Sequence, residues 1–180
     1  SECTVTVVLT GGGGFLGWHV RVLLHALGEF DVRLIALGDS FDETRAMHAI
    51  SGADRIIHLA GVNRGSDAEV LDGNEVMAKQ VSWVLSTSSA PPPVVVFANS
   101  THVGDETPYA IAKKRAAGIL ERASERNNTH FVNLFLPNLF GEHGRPHYNS
   151  VTATFCHLLA RGERPTIERF LDHFRLLLET

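Results

Sequence analysis

The chain has 180 residues, 44% of them hydrophobic and 20% charged, with a formal net charge of -4. That length sustains one domain, residues 1–180, with a real core and no staples. The charge leaves no basic footprint for a nucleic acid, no apolar run reaches the length of a membrane span, and the N-terminus lacks the charged start and cleavage pattern of a signal peptide, so the chain reads as cytoplasmic. The two cysteines, Cys3 and Cys156, stand far apart and read as reduced buried thiols. The ten histidines show no close spacing with cysteine or carboxylate, so no metal site is expected.

Taken in order, the β-branched run from Thr4 to Leu9 is a strand that runs into Thr10-Gly11-Gly12-Gly13-Gly14-Phe15-Leu16-Gly17. Glycines there let a strand turn sharply into a helix while backbone N–H groups approach a pyrophosphate, and Gly11, Gly14 and Gly17 occupy the required places. The following helix, with Phe15, Leu16, Val20, Leu23, Leu24 and Leu27 apolar, ends at Gly28. Asp31 to Leu37 reads as a buried second strand. Asp39, just beyond it, either bonds the adenosine ribose hydroxyls of NAD or caps a helix over Phe41 to Ile50. Arg55 to Gly61 reads as a third strand whose glycine lies at the carboxyl end, where ligands of open parallel sheets gather. A helix over about Asp67 to Ser86 follows, then Pro91-Pro92-Pro93, a strand over Val94 to Ala98, a helix over Tyr109 to Arg126 and a strand over Phe131 to Leu136.

Residues 137–150 form a loop rich in Gly, Pro, His and Asn that is too long for a plain connector and is expected to touch substrate, so residues 137–180 contribute the substrate side. A helix over Val151 to Ala160 and an amphipathic segment from Ile167 to Leu178 complete the chain. Strands alternate with helices throughout. The fold expected is therefore α/β: a doubly wound parallel sheet of Rossmann type with helices on both faces.

Tyr109 and Lys113 lie four apart at the start of a helix, so they share one face. The spacing suits a proton donor and a cation that favours its phenolate, and Lys113 can also hold the nicotinamide ribose. In isolation the pair reads more readily as a capping-region tyrosine and a solvated lysine. Its position after strand four, with Ser100 ending that strand, brings it to the same sheet edge as the glycine turn. There the Ser100 hydroxyl can polarise a substrate carbonyl.

These motifs, with His58-Leu59-Ala60-Gly61 and Asn99-Ser100, resemble in order and spacing the extended short-chain dehydrogenase/reductase family of nucleotide-sugar enzymes, over residues 4 to about 162. Finer features, His58 to Arg64, Pro137 to Gly141 and Arg145 to His157, are similar to capsular-polysaccharide reductases acting on a UDP-linked 4-keto-6-deoxy-N-acetylhexosamine. The resemblance implies NAD(P)H as cofactor, held by Gly11, Gly14, Phe15, Leu16, Gly17, Asp39, Leu59, Ala60, Gly61, Tyr109 and Lys113. It implies hydride transfer to the sugar C4 ketone, with Tyr109 as acid, Lys113 in support and Ser100 orienting the ketone. Asn138, Arg145, Tyr148 and Asn149 would contact sugar or diphosphate, and helix-mediated homodimers are common in the family.

The chain departs from that pattern in several places. Asp39 stands where a 2′-phosphate would want a cation, Phe135 replaces a common arginine, and Thr101-His102 replaces the acidic pair of dehydratases. The stretch after about Arg164 lacks the rest of the family's substrate lobe, and the branch's cupin domain is not supplied, so the lobe is expected to be incomplete. The alternative functions are a nucleotide-sugar 4-epimerase, a non-catalytic NAD(P) sensor, which typically loses the tyrosine, and a structural partner in a complex.

Overall fold

The apolar runs become five parallel strands in the computed structural model, which describes residues 4–148 and 150–164. They are β1 (Val5–Thr10), β2 (Phe30–Ile35), β3 (Arg55–His58), β4 (Val94–Ser100) and β5 (His130–Leu136), in the order β2-β1-β3-β4-β5 with every neighbouring pair parallel. The helices are α1 (Phe15–Leu27), α2 (Glu43–Ile50), α3 (Asp67–Thr87), α4 (Pro108–Arg126) and α5 (Val151–Ala160). The chain divides into two compact units, Ser1–Pro137, which holds the sheet, and Asn138–Thr180, which holds α5.

Right-handed crossovers dictate where the helices go. The step from β1 to β2 runs opposite to all later steps, so α1 covers one face of the sheet and α2, α3 and α4 cover the other. The main core fills the second face: Val8, Ile56, Val95 and Phe97 from the strands meet Ile50, Val81, Leu85 and Leu120 from the helices. Small residues at Ala78, Ala112, Ala116 and Ala123 let α3 and α4 lie close on it. Each large side chain buried this way stabilises by about 1.5–3 kcal/mol. On the other face two apolar positions of α1, Leu23 and Leu27, are 60% and 54% exposed among the described residues.

Several boundaries move. β2 spans Phe30–Ile35 rather than reaching Leu37, because the chain then folds into a 3-10 turn over Gly38–Ser40. The cap of α2 is Asp42, whose Oδ1 accepts from the Arg45 N–H at 2.9 Å, so Asp39 is not a helix cap. The third strand stops at His58, leaving Leu59 to Gly61 as loop. Cys156 is exposed on α5 instead of buried, because its position turns away from the residues described around that helix. Cys3 and the amphipathic segment Ile167 to Leu178 lie outside the described residues. Among the described residues no helix is long and apolar enough to cross a membrane.

Candidate active site

The reversal of crossover direction opens a crevice at the carboxyl ends of β1 and β3, the place where open α/β sheets bind ligands. Its floor is the glycine turn. Gly11 has φ +70°, and a Cβ there would stand 2.6 Å from the Ala60 nitrogen. A Cβ on Gly17 would collide with the Gly11 carbonyl oxygen and lie 2.7 Å from the Gly12 Cα, so only glycine lets α1 seat directly on the turn. Gly14 begins the helix, with no side-chain cap and no acidic residue in the first turn, where Phe15 and Leu16 are half-buried. The other α-helices among the described residues are capped by Asp42, Ser66, Thr107 and Ser150. The uncapped end of α1 keeps its backbone donors and positive dipole end for an anion, so these residues fit a dinucleotide pyrophosphate.

A row of register partners crosses the sheet beneath this turn: Thr10 beside His58, and His58 beside Phe97. Thr10 Oγ1 lies 2.7 Å from His58 Nδ1, in hydrogen-bond contact with the ring, and also accepts from the Ala60 N–H at 3.3 Å. The His58 ring stacks on Phe97 at 5.4 Å. Burial first, and the positive charge of Lys113 second, push His58 down to about 3, so it is neutral at physiological pH. Sequence reasoning recorded His58 as part of a motif but gave it no role.

Lys113 is 4% exposed. Its Nζ donates to the Ala98 carbonyl at 2.8 Å and sits 4.7 Å above the Phe97 ring and 5.9 Å from the Tyr109 ring centre. A solvated lysine is therefore excluded, and burial pulls it down to about 8. Tyr109 follows Pro108 in the first turn of α4, where Thr107 Oγ1 accepts from the Ala110 N–H. Burial raises the Tyr109 phenol above its ordinary 10, opposite to the direction expected from the adjacent cation. Desolvation decides the sign, because the ammonium is directed at the Ala98 carbonyl. Ser100 ends β4, its N–H donating to Asn99 Oδ1 and its hydroxyl oxygen accepting from the His102 N–H at 3.2 Å. Among the described residues the Ser100 hydroxyl donates no hydrogen bond of its own.

Asn74 was not singled out from sequence. It is 3% exposed on α3, and its amide donates to the Val62 and Val70 carbonyls at 2.7 Å each, fixing the loop that carries Leu59, Ala60 and Gly61. Its Oδ1 and Lys113 Nζ lie 2.9 and 3.5 Å from where a Gly61 Cβ would be. A polar residue interrupting the apolar side of a long helix was the available signal.

In the second unit Asn138 and Arg145 are exposed, Tyr148 is 43% exposed, and the Arg145 guanidinium carbon lies 6.0 Å from the Tyr148 ring centre. Asn149 lies outside the described residues. This unit also carries an open cavity of about 410 Å³ lined by Phe140, His143, Pro146, Thr152, Cys156 and His157 among others.

Residues 7–171 match the NAD dependent epimerase/dehydratase family. The chain is 31% identical over 157 residues to a UDP-2-acetamido-2,6-beta-L-arabino-hexul-4-ose reductase of Pseudomonas aeruginosa, covering 86% of this chain and 41% of that protein. Its fold is similar to that of the capsular polysaccharide assembling protein CapF of Staphylococcus aureus, with TM-score 0.71 and 27% identity over 92% of this chain and 43% of CapF. It also resembles UDP-glucuronic acid 4-epimerase of Bacillus cereus, solved in complex with NAD, with TM-score 0.72 and 14% identity over 88% of this chain and 63% of that one, a likeness of fold alone. The chain thus spans less than half the length of the reductase and of CapF.

Proposed function

The chain belongs to the NAD dependent epimerase/dehydratase family, and from that premise we propose that it reduces the C4 ketone of a UDP-linked 4-keto-6-deoxy-N-acetylhexosamine in the making of a capsular or cell-surface polysaccharide. The observation that carries the reading is one sheet edge that brings together an anion-ready glycine turn, the half-buried Tyr109 phenol and the buried Lys113 ammonium. The 31% identity to the Pseudomonas aeruginosa reductase supports the substrate class.

A reduced nicotinamide dinucleotide supplies the hydride. Gly11, Gly14 and Gly17 receive its pyrophosphate, with Phe15, Leu16, Asp39, Leu59, Ala60 and Gly61 as further contacts. Ser100 donates a hydrogen bond from its hydroxyl to the ketone oxygen and orients it, keeping its own proton. Tyr109 gives its proton to that oxygen as negative charge develops there; a phenol kept protonated by burial suits an acid in this direction. Lys113 holds the nicotinamide ribose and stabilises the phenolate left behind. Asn138, Arg145, Tyr148 and Asn149 bind the sugar and diphosphate, Arg145 being suited to bidentate contact with phosphate. In this reading residues 137–180 contribute the substrate side of a single dinucleotide-binding domain, and the protein works in the cytoplasm as a homodimer.

The test is to mix the purified chain with NADH or NADPH, add the UDP-4-keto-6-deoxyhexosamine and follow absorbance of the reduced nicotinamide. Oxidation that depends on the sugar is the expected result. Binding of the dinucleotide without oxidation in the presence of that sugar would overturn the reductase reading.

A further inference from the structure

The turn that follows β2 is held by a side chain from a distant helix. Gln80, in the middle of α3, grips the Gly38 peptide with both ends of its amide: the Gly38 N–H donates to Gln80 Oε1 at 2.7 Å, and Gln80 Nε2 donates to the Gly38 carbonyl at 3.0 Å. The same carbonyl accepts from the Phe41 N–H at 3.1 Å, closing the 3-10 turn over Gly38–Ser40. Trp83, one turn further along α3, packs edge-on against Phe41 at 5.8 Å. One face of α3 therefore fixes both ends of the segment that carries Asp39.

That segment lies at the crevice edge, since the last residue of β2, Ile35, is the register partner of Thr10, the last residue of β1. Its charge is one-sided. From Ala36 to Asp42 it contains Asp39 and Asp42 and no lysine or arginine. Arg45 pairs with Asp42 at 3.8 Å. Arg21, the cation at the glycine turn itself, donates to the Gly12 carbonyl.

We infer that Gln80 is a specificity-determining positioning residue: by clamping the Gly38 peptide it holds Asp39 where its carboxylate accepts from the adenosine ribose diol, so that the site selects a dinucleotide with a free 2′-hydroxyl over one bearing a 2′-phosphate. This inference rests on the dinucleotide-binding reading above. A carboxylate fixed at that edge gains charge-assisted hydrogen bonds from a diol and repels a phosphate dianion. Left on a loose turn it swings away and discriminates against neither, so the selectivity belongs to the clamp as much as to the acid.

Fluorescence titration of the purified chain with NADH and NADPH tests this without turnover. The unaltered chain should bind NADH at least about tenfold more tightly than NADPH, the scale set by hydrogen bonds to a charged group. Gln80→Met keeps the length of the side chain and removes both bonds. It should weaken NADH about tenfold while leaving NADPH binding unchanged or tighter. Gln80→Glu, which keeps the acceptor for the Gly38 N–H and loses the donor, should fall between, and it serves if the methionine variant does not fold. In an Asp39→Asn background Gln80→Met should have no further effect on the NADH to NADPH ratio, because a residue acting through another shows no independent term. An unchanged ratio in the Gln80 variants, equal losses for both dinucleotides, or tighter NADPH binding by the unaltered chain would overturn the inference and leave the dinucleotide reading standing. Binding of neither dinucleotide by the unaltered chain would overturn both.

Discussion

Thr10 Oγ1 and His58 Nδ1 meet at 2.7 Å across the register of β1 and β3, directly beneath the point where both strands deliver their glycines to the crevice. The bond ties the end of the glycine turn to the stack of His58 on Phe97 and so to the bed on which the Lys113 ammonium rests. Removing the Thr10 hydroxyl leaves His58 Nδ1 buried without that partner. Thr10→Val should therefore cost about 1–3 kcal/mol in chemical denaturation, and a change below the error of the fit would show that the pair contributes nothing.

The neutral His58 also sets an acid limit on stability. Below its ordinary 6.5 the unfolded chain takes up a proton that the folded imidazole refuses until about 3. Stability from this group is thus complete above 6.5 and declines as pH falls toward 3, by about 1.4 kcal/mol per pH unit. In His58→Asn that slope should flatten, measured by urea midpoints across the window.

Lys113 carries its charge below about 8, well under its ordinary 10.5. Any step that depends on the ammonium fails as pH rises through that value. The profile of kcat/KM, which reports the free enzyme, should bend downward near 8, and a profile flat to pH 10 would remove the ammonium from the rate equation.

Tyr109→Phe deletes the proton donor and leaves the ring that packs beside Lys113. Turnover should fall by about 10²–10⁴-fold, with the dinucleotide affinity nearly unchanged. Equal losses in both would mean that the phenol serves binding rather than proton transfer.

Gly17→Ala adds a methyl group where the Gly11 carbonyl oxygen already lies. Repacking of α1 away from the turn should cost about 1–3 kcal/mol and abolish dinucleotide binding, read by thermal unfolding with and without NADH. A variant still stabilised by NADH like the unaltered chain would show that α1 has room to shift.

Local chemistry made much of this legible in advance. Alternation of apolar runs and turn residues predicts the five strands and the helices between them; the spacing of Tyr109 and Lys113 puts them on one helix face, and glycine alone permits the turn at Gly11 and Gly17. The departures come where partners are distant along the chain. Gln80 lies 42 residues from Gly38, and His58 lies 48 from Thr10. Their pairing follows from which strands the crossovers make neighbours, and the registers that result are sums of many contacts which no single stretch encodes. The burial of Lys113 and the upward shift of Tyr109 share that origin: spacing determined that the two meet, whereas only the packing of α4 against the Phe97 face decided that desolvation outweighs their mutual attraction.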